Sequence, residues 1–152
     1  SVGVRIGEVG GVLLVADPVD DLAGQTHPQI VKVVKHLGYG AGALALLPGR
    51  GPAVRDVVAV LAGDAGELLL FDDETNDLVF VGEDPNGHPL LGSAPTGLAV
   101  DPVPSVAGDA YVYVGSFQEN FVTRIDVPLA DINTLTLPAP PATFPRIAGG
   151  TP

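Results

Sequence analysis

The chain has 152 residues, 46% of them apolar, with 20 Gly, 15 Pro and neither Cys nor Met. Its formal net charge is −11, from 7 basic and 18 acidic side chains. That length suits one ordinary domain, the charge balance lacks the basic stripe of a nucleic-acid footprint, and the missing cysteines exclude disulfides and thiolate metal sites.

Membrane insertion is not expected either, since no apolar run approaches the roughly 18 residues that span a bilayer. The acidic balance also disfavours an anionic membrane surface. No secretory leader is visible. Methionine is missing even at position 1, so we expect a mature chain, a cleaved fragment or a piece of a longer protein.

In chain order, Val2, Val4 and Ile6 alternate around Gly3 and Arg5, which is a strand pattern. Glu8 to Gly11 reads as a turn. Val12 to Ala16 is a continuous apolar run, expected of a strand covered on both faces. Asp17-Pro18 is expected to end it, with an acidic loop through Asp20, Asp21 and Gly24 to Pro28. Gln29 to His36 then reads as a strand with Lys32 and Lys35 outward. Its β-branched content, between Pro28 and Gly38, argues against a helix.

Gly38 to Gly42 reads as a flexible joint, and Ala43 to Leu47 as a strand of small residues stopped by Pro48. Val57 to Leu61 and Leu68 to Phe71 are strands, Asp72 to Asp77 a turn, and Leu78 to Val81 a further strand. Glu83 to Gly87 has turn composition. Gly97 to Asp101, Tyr111 to Val114 and Phe121 to Ile125 follow as strands, with a weaker one at Ile132 to Leu137. Pro138 to Pro141 cannot lie in a central strand. Phe144 to Ile147 is expected as a short strand or a docked tail.

The chain repeats itself. Val2–Asp17 aligns without a gap on Val57–Asp72, which aligns in turn on Tyr111–Asp126, at offsets of 55 and 54 residues. Pro48 and Pro102, each closing a run of small residues, are also 54 apart. Several strands per unit at a period of about 40–50 residues is the signature of a β-propeller blade. We therefore expect an all-β chain of propeller blades of four antiparallel strands. About three blades are expected, in units of roughly 1–37, 42–91 and 96–147, the first incomplete because it lacks an inner strand. Too few blades to close a ring imply partners: the remaining blades of the same propeller, or partner subunits.

Tyr111-Val-Tyr-Val-Gly-Ser-Phe-Gln-Glu-Asn-Phe-Val-Thr-Arg-Ile-Asp126, preceded by Pro95-Thr-Gly-Leu-Ala-Val-Asp-Pro102, resembles the bacterial YVTN-type β-propeller repeat. That pattern is an aromatic-Val-aliphatic strand, a small polar turn with Asn, and a strand ending Ile-Asp. The likeness covers most of the chain at the level of strands. It implies an exported protein, extracellular or periplasmic or at the cell surface, used for structure or binding. It implies no reaction, because similar propellers host unrelated activities.

Acidic turns are the first candidates for chemistry. Asp17, Asp20 and Asp21 in one cluster, and Asp72, Asp73, Glu74 and Asp77 in the other, are expected on the same face, where oxygen ligands suit calcium. Their spacing is not that of a calcium loop, and a strand-end Asp also caps its own turn through its side chain. We take Asp17, Asp20, Asp21, Asp72, Asp73 and Asp77 as the metal candidates and expect no other cofactor. His27, His36 and His88 lack metal-pair spacing and read as loop residues. Ser116 reads as a turn residue, with no G-x-S-x-G elbow around it. Arg50 and Arg55 are expected to pair with the acidic turns; Arg124 is a third isolated cation. The expected function is a non-catalytic binding or structural module, acting through loops at Asp17–Pro28 and Pro48–Asp56. The alternative is a propeller hydrolase of lactonase type with a divalent metal near the channel.

Overall fold

A computed structural model of the chain describes residues 2–7, 10–20, 22–34, 40–49, 53–84, 86–87, 89–101, 109–118 and 121–137. At 2–7, 10–15, 17, 18, 28, 31 and 34 it describes backbone alone. Among the described residues the chain is all-β, with every sheet antiparallel. Ten strands are described: β1 Val2–Gly7, β2 Gly10–Asp20, β3 Thr26–Val34, β4 Ala41–Leu47, β5 Val57–Ala62, β6 Glu67–Asp72, β7 Leu78–Val81, β8 Pro95–Asp101, β9 Asp109–Ser116 and β10 Phe121–Pro128. They form three meanders, ordered β1-β2-β3, β4-β5-β6-β7 and β8-β9-β10, so only the middle sheet has four strands among the described residues.

The second and third sheets share one register. Leu44 faces Val60 and Leu98 faces Val114; Val57 faces Asp72 and Tyr111 faces Asp126. Each residue of the later sheet stands 54 positions after its counterpart. Even the irregularity recurs, with a bulge between Ala41 and Ala43 on β4 and another between Pro95 and Gly97 on β8. Left-handed residues precede both strands: Gly40 at φ 73° and Ala94 at φ 50°.

Sheet stacking is head to tail. Leu68 and Leu70 of β6, with Val57, Ala59 and Leu61 of β5, face the third sheet. Meeting them are Val112 and Val114 of β9 and Ile125 and Val127 of β10. Leu69 and Phe71, with Val58, Val60 and Ala62, form a second apolar layer on the opposite side. Ile125 is the counterpart of Phe71, not of Leu70. The face that meets the preceding sheet is thus the same face in both units. Burial on both sides explains why Val57–Ala62 carries no polar residue, since period-2 alternation is needed only where one face meets water.

The first sheet lies on the Phe71 side. Lys32 of β3 reaches the Phe71 ring, 5.2 Å from its centroid, and β1 packs beside β4. Lys32, expected outward, is thereby drawn into a contact between sheets; Lys35 lies outside the described residues. β2 starts at Gly10, inside the expected turn Glu8–Gly11, and Gly10 pairs with Gly7 at the end of β1. Val2 consequently pairs with Val15, two residues short of Asp17. Loop length sets hairpin register.

Two further expectations are corrected. Asp17-Pro18 does not end β2, which runs on to Asp20 with Pro18 opposite Pro28. Pro18 lies beyond the reach of β1, which pairs no farther than Val15, so β2 has a single neighbour there and a missing N–H is tolerated. Ile132–Leu137 is no strand; it opens as a turn of 3-10 helix, Ile132–Thr134. Asp131 and Asn133 supply the cause: the Asp131 carboxylate accepts from Asn133 N at 2.9 Å, a local bond that competes with a ladder. Ile132 is left to plug the core beside Val127 and Leu129. The expected strand or tail at 144–147 lies outside the described residues.

Candidate functional site

Asp72 ends β6 with its side chain only 2% exposed. A buried carboxylate needs partners, and the local sequence provides them. Its Oδ1 accepts from Glu74 N at 2.9 Å and Thr75 N at 3.2 Å, and Arg55 approaches Oδ2 at 3.3 Å. Backbone bonds close the same turn, Asp72 N to Asp77 O and Asn76 N to Asp72 O, with Asn76 left-handed at φ 64°. Burial pushes the Asp72 carboxyl up. The N–H groups of Thr75 and Glu74, the Thr75 side chain and Arg55 outweigh that and hold it below the usual carboxylate range.

Arg55 knits this end together. Its guanidinium also reaches Glu74 at 3.5 Å, and its backbone N donates to Leu129 O at 3.0 Å, tying the loop before β5 to the chain after β10. Asp56 Oδ1 accepts from Gly49 N at 2.8 Å and pins the other side of the loop. Lys32 Nζ donates to the Asp73 carbonyl at 2.7 Å and pairs with its carboxylate. Two sequence-predicted acids are therefore turn and packing elements whose oxygens are already engaged.

The other candidates are dispersed. Asp20 lies at the end of β2, where its carboxylate accepts from Thr26 Oγ1 at 2.7 Å. Asp17 lies inside β2; its side chain, and Asp21 altogether, fall outside the described residues. Because β2 and β3 lengthen, the expected acidic loop shrinks to residues 21–25. Asp77 is half-buried at the end of the β6–β7 turn. Among the described residues, no group of three or more His, Asp or Glu is placed to hold a metal ion.

His27 is exposed within β3 rather than in a loop; His36, His88 and Arg50 lie outside the described residues. Ser116 is no turn residue. It closes β9, 5% exposed, and its hydroxyl donates to Ser93 O at 2.8 Å. Thr123 does the same on β10, donating to Leu90 O at 2.8 Å. Both hydroxyls hold the crossover from β7 to β8 onto the third sheet.

Two surface grooves escaped the sequence reading. One, about 490 Å³, lies where Asp109, Arg124, Asp126, Pro128, Thr134, Thr136 and Leu137 meet. Arg124 pairs there with Asp126 at 2.8 Å and stands over the Tyr111 ring at 4.9 Å. Its signal in the sequence is the placement of Arg124 where Leu70 stands one unit earlier. A second groove, about 450 Å³, runs along the β5–β6 turn, lined by Asp64, Glu67, Phe80 and Glu83 and by Gly92, Ser93 and Ala94. Its acids come from two separate segments, the β5–β6 hairpin and the stretch after β7, so no local spacing announces it. Both grooves suit polar recognition by surface side chains. The chain matches no known protein family, no characterised protein and no solved structure.

Proposed function

We propose that the chain is part of a β-propeller of the YVTN-like kind, from an exported bacterial protein, and works as a non-catalytic binding or structural module. The carrying observation is the head-to-tail stacking: two sheets of one register, each turning the same face to its predecessor. Units that pack this way have no natural stopping point until a ring closes or a cap intervenes. Of the acids expected to gather a metal, Asp72 closes its own turn and Asp73 holds a contact between sheets, which favours a scaffold with recognition at its loops. The working surface is the end bearing Arg55, Asp72, Glu74 and the loop from Pro48 to Asp56.

Electron microscopy of the natural full-length protein tests the architecture, with a closed ring of four-stranded blades as the expected image. Elemental analysis of the same material tests the function. A stoichiometric divalent metal at the channel would replace this reading with that of a metal-dependent hydrolase of lactonase type.

A further inference from the structure

We infer that the outer edge of β1, together with Leu44 and Leu46 of β4, is an acceptor for an extended segment with small residues at alternate positions. This rests on the propeller reading and names the missing partner of the first sheet by its chemistry.

The argument starts from what inner strands do to one another. Leu98 and Val100 of β8 pack into the core shared with the second sheet, where β4 lies beside β8 and offers Ala43. Small residues on β4 are what let two strands lie that close. The counterparts of Leu98 and Val100, 54 positions earlier, are Leu44 and Leu46. They should meet an inner strand of the first sheet in the same way. Instead they stand 37% and 49% exposed, although Leu47 beside them is fully buried.

The vacancy has a matching edge. By the alignment of Val2–Asp17 on Val57–Asp72, β1 is the counterpart of β5, and β5 pairs with β4 on one side and β6 on the other. Among the described residues, β1 pairs with β2 alone. An unpaired edge is a template for one more strand. Two independent features, an edge unpaired among the described residues and a pair of exposed leucines beside it, therefore require the same occupant. Its backbone completes the β1 ladder, and its Gly or Ala positions settle on Leu44 and Leu46. Pro95-Thr-Gly-Leu-Ala-Val-Asp-Pro102 has this form, with Gly97 and Ala99 on the face opposite Leu98 and Val100.

The test uses the 152-residue chain and a fluorescein-labelled peptide of residues 95–102, followed by fluorescence anisotropy. Saturable one-to-one binding is expected. Combining Leu44→Asp with Leu46→Asp should weaken it by at least about tenfold, with circular dichroism verifying the fold. A peptide carrying Gly97→Val and Ala99→Val leaves the protein untouched and should bind at least about tenfold more weakly, because bulk replaces the small positions. Absence of saturable binding to the folded chain would overturn the inference, as would undiminished binding of the bulky peptide. A ring seen by microscopy with no peptide binding would sink this inference alone. Peptide binding by a chain whose natural assembly is no ring would leave the acceptor and remove the propeller.

Discussion

Gly40 and Ala94 stand 54 residues apart and both enter the following strand through a left-handed backbone, at φ 73° and 50°. The same turn is thus made once with a residue suited to it and once with a residue strained by it. Gly40 O also accepts from Gly63 N at 3.1 Å, and a Cβ on Gly40 would lie 2.6 Å from Asp64 N. The expected flexible joint is a fixed corner at this position.

Ala94→Gly should stabilise the chain by about 0.5–1 kcal/mol, relief of left-handed strain exceeding the added freedom of the unfolded chain. Gly40→Ala should destabilise it by about 2 kcal/mol or more, because strain and a backbone clash add. Urea denaturation of the two variants beside the parent checks both signs.

Asp72→Asn should cost about 1–3 kcal/mol at pH 7, since it removes the charge that Arg55 and two N–H groups face and turns amide hydrogens toward donors. The pH dependence follows from a carboxyl held below its usual range. The unfolded state takes up the proton first, so the Asp72 contribution is fully present above about pH 4 and fades as pH falls through the folded-state value. The gap between parent and variant should therefore be constant from pH 7 to 5 and shrink below about pH 4. A gap that widened in acid would remove Arg55 and the turn N–H groups as the cause.

Leu70 and Arg124 hold the same place in successive sheets, yet one is fully buried between sheets and the other faces the groove beside Asp126. Leu70→Ala should cost about 2–5 kcal/mol through the cavity it leaves. Arg124→Ala should cost less than about 1 kcal/mol, as an exposed ion pair and a cation–ring contact are each weak in water. Similar losses at the two positions, measured by thermal or urea unfolding, would contradict head-to-tail stacking.

Thr123→Val should cost about 1–2 kcal/mol although shape is preserved, because Thr123 is 4% exposed and the Leu90 carbonyl would lose its 2.8 Å donor. Thr123→Ser keeps the donor and should recover the bond, leaving the smaller cost of one methyl. Comparing the two variants by urea denaturation separates the hydrogen bond from packing.

The strands were legible because their signals are local. Leu78–Val81 is observed with the bounds expected, and of the expected strand Gln29–His36 the described part, to Val34, is strand rather than helix, as its β-branched residues require. The miss at Ile132–Leu137 has a local cause as well: Asp131 and Asn133 carry the signal of a turn, but the apolar Ile132, Leu135 and Leu137 outweighed it in a reading by hydropathy. Likewise Pro18 reads as a terminator only if β2 has neighbours on both sides. Pairing partners are not written at that position.

The residues at the candidate site were found, but not their use. Asp72 and Arg55 were both singled out, and a capped turn paired with Arg55 was among the expectations. That Asp73 is engaged by Lys32 from 41 residues away was not readable. Sequence by itself determined the all-β class and the 54-residue correspondence, since alternation and self-similarity need no third dimension. Only the tertiary structure decided which face of each sheet meets its predecessor and which of two corresponding residues is buried. Those are properties of neighbours brought together across the chain, and neighbours at that distance leave no mark on local order.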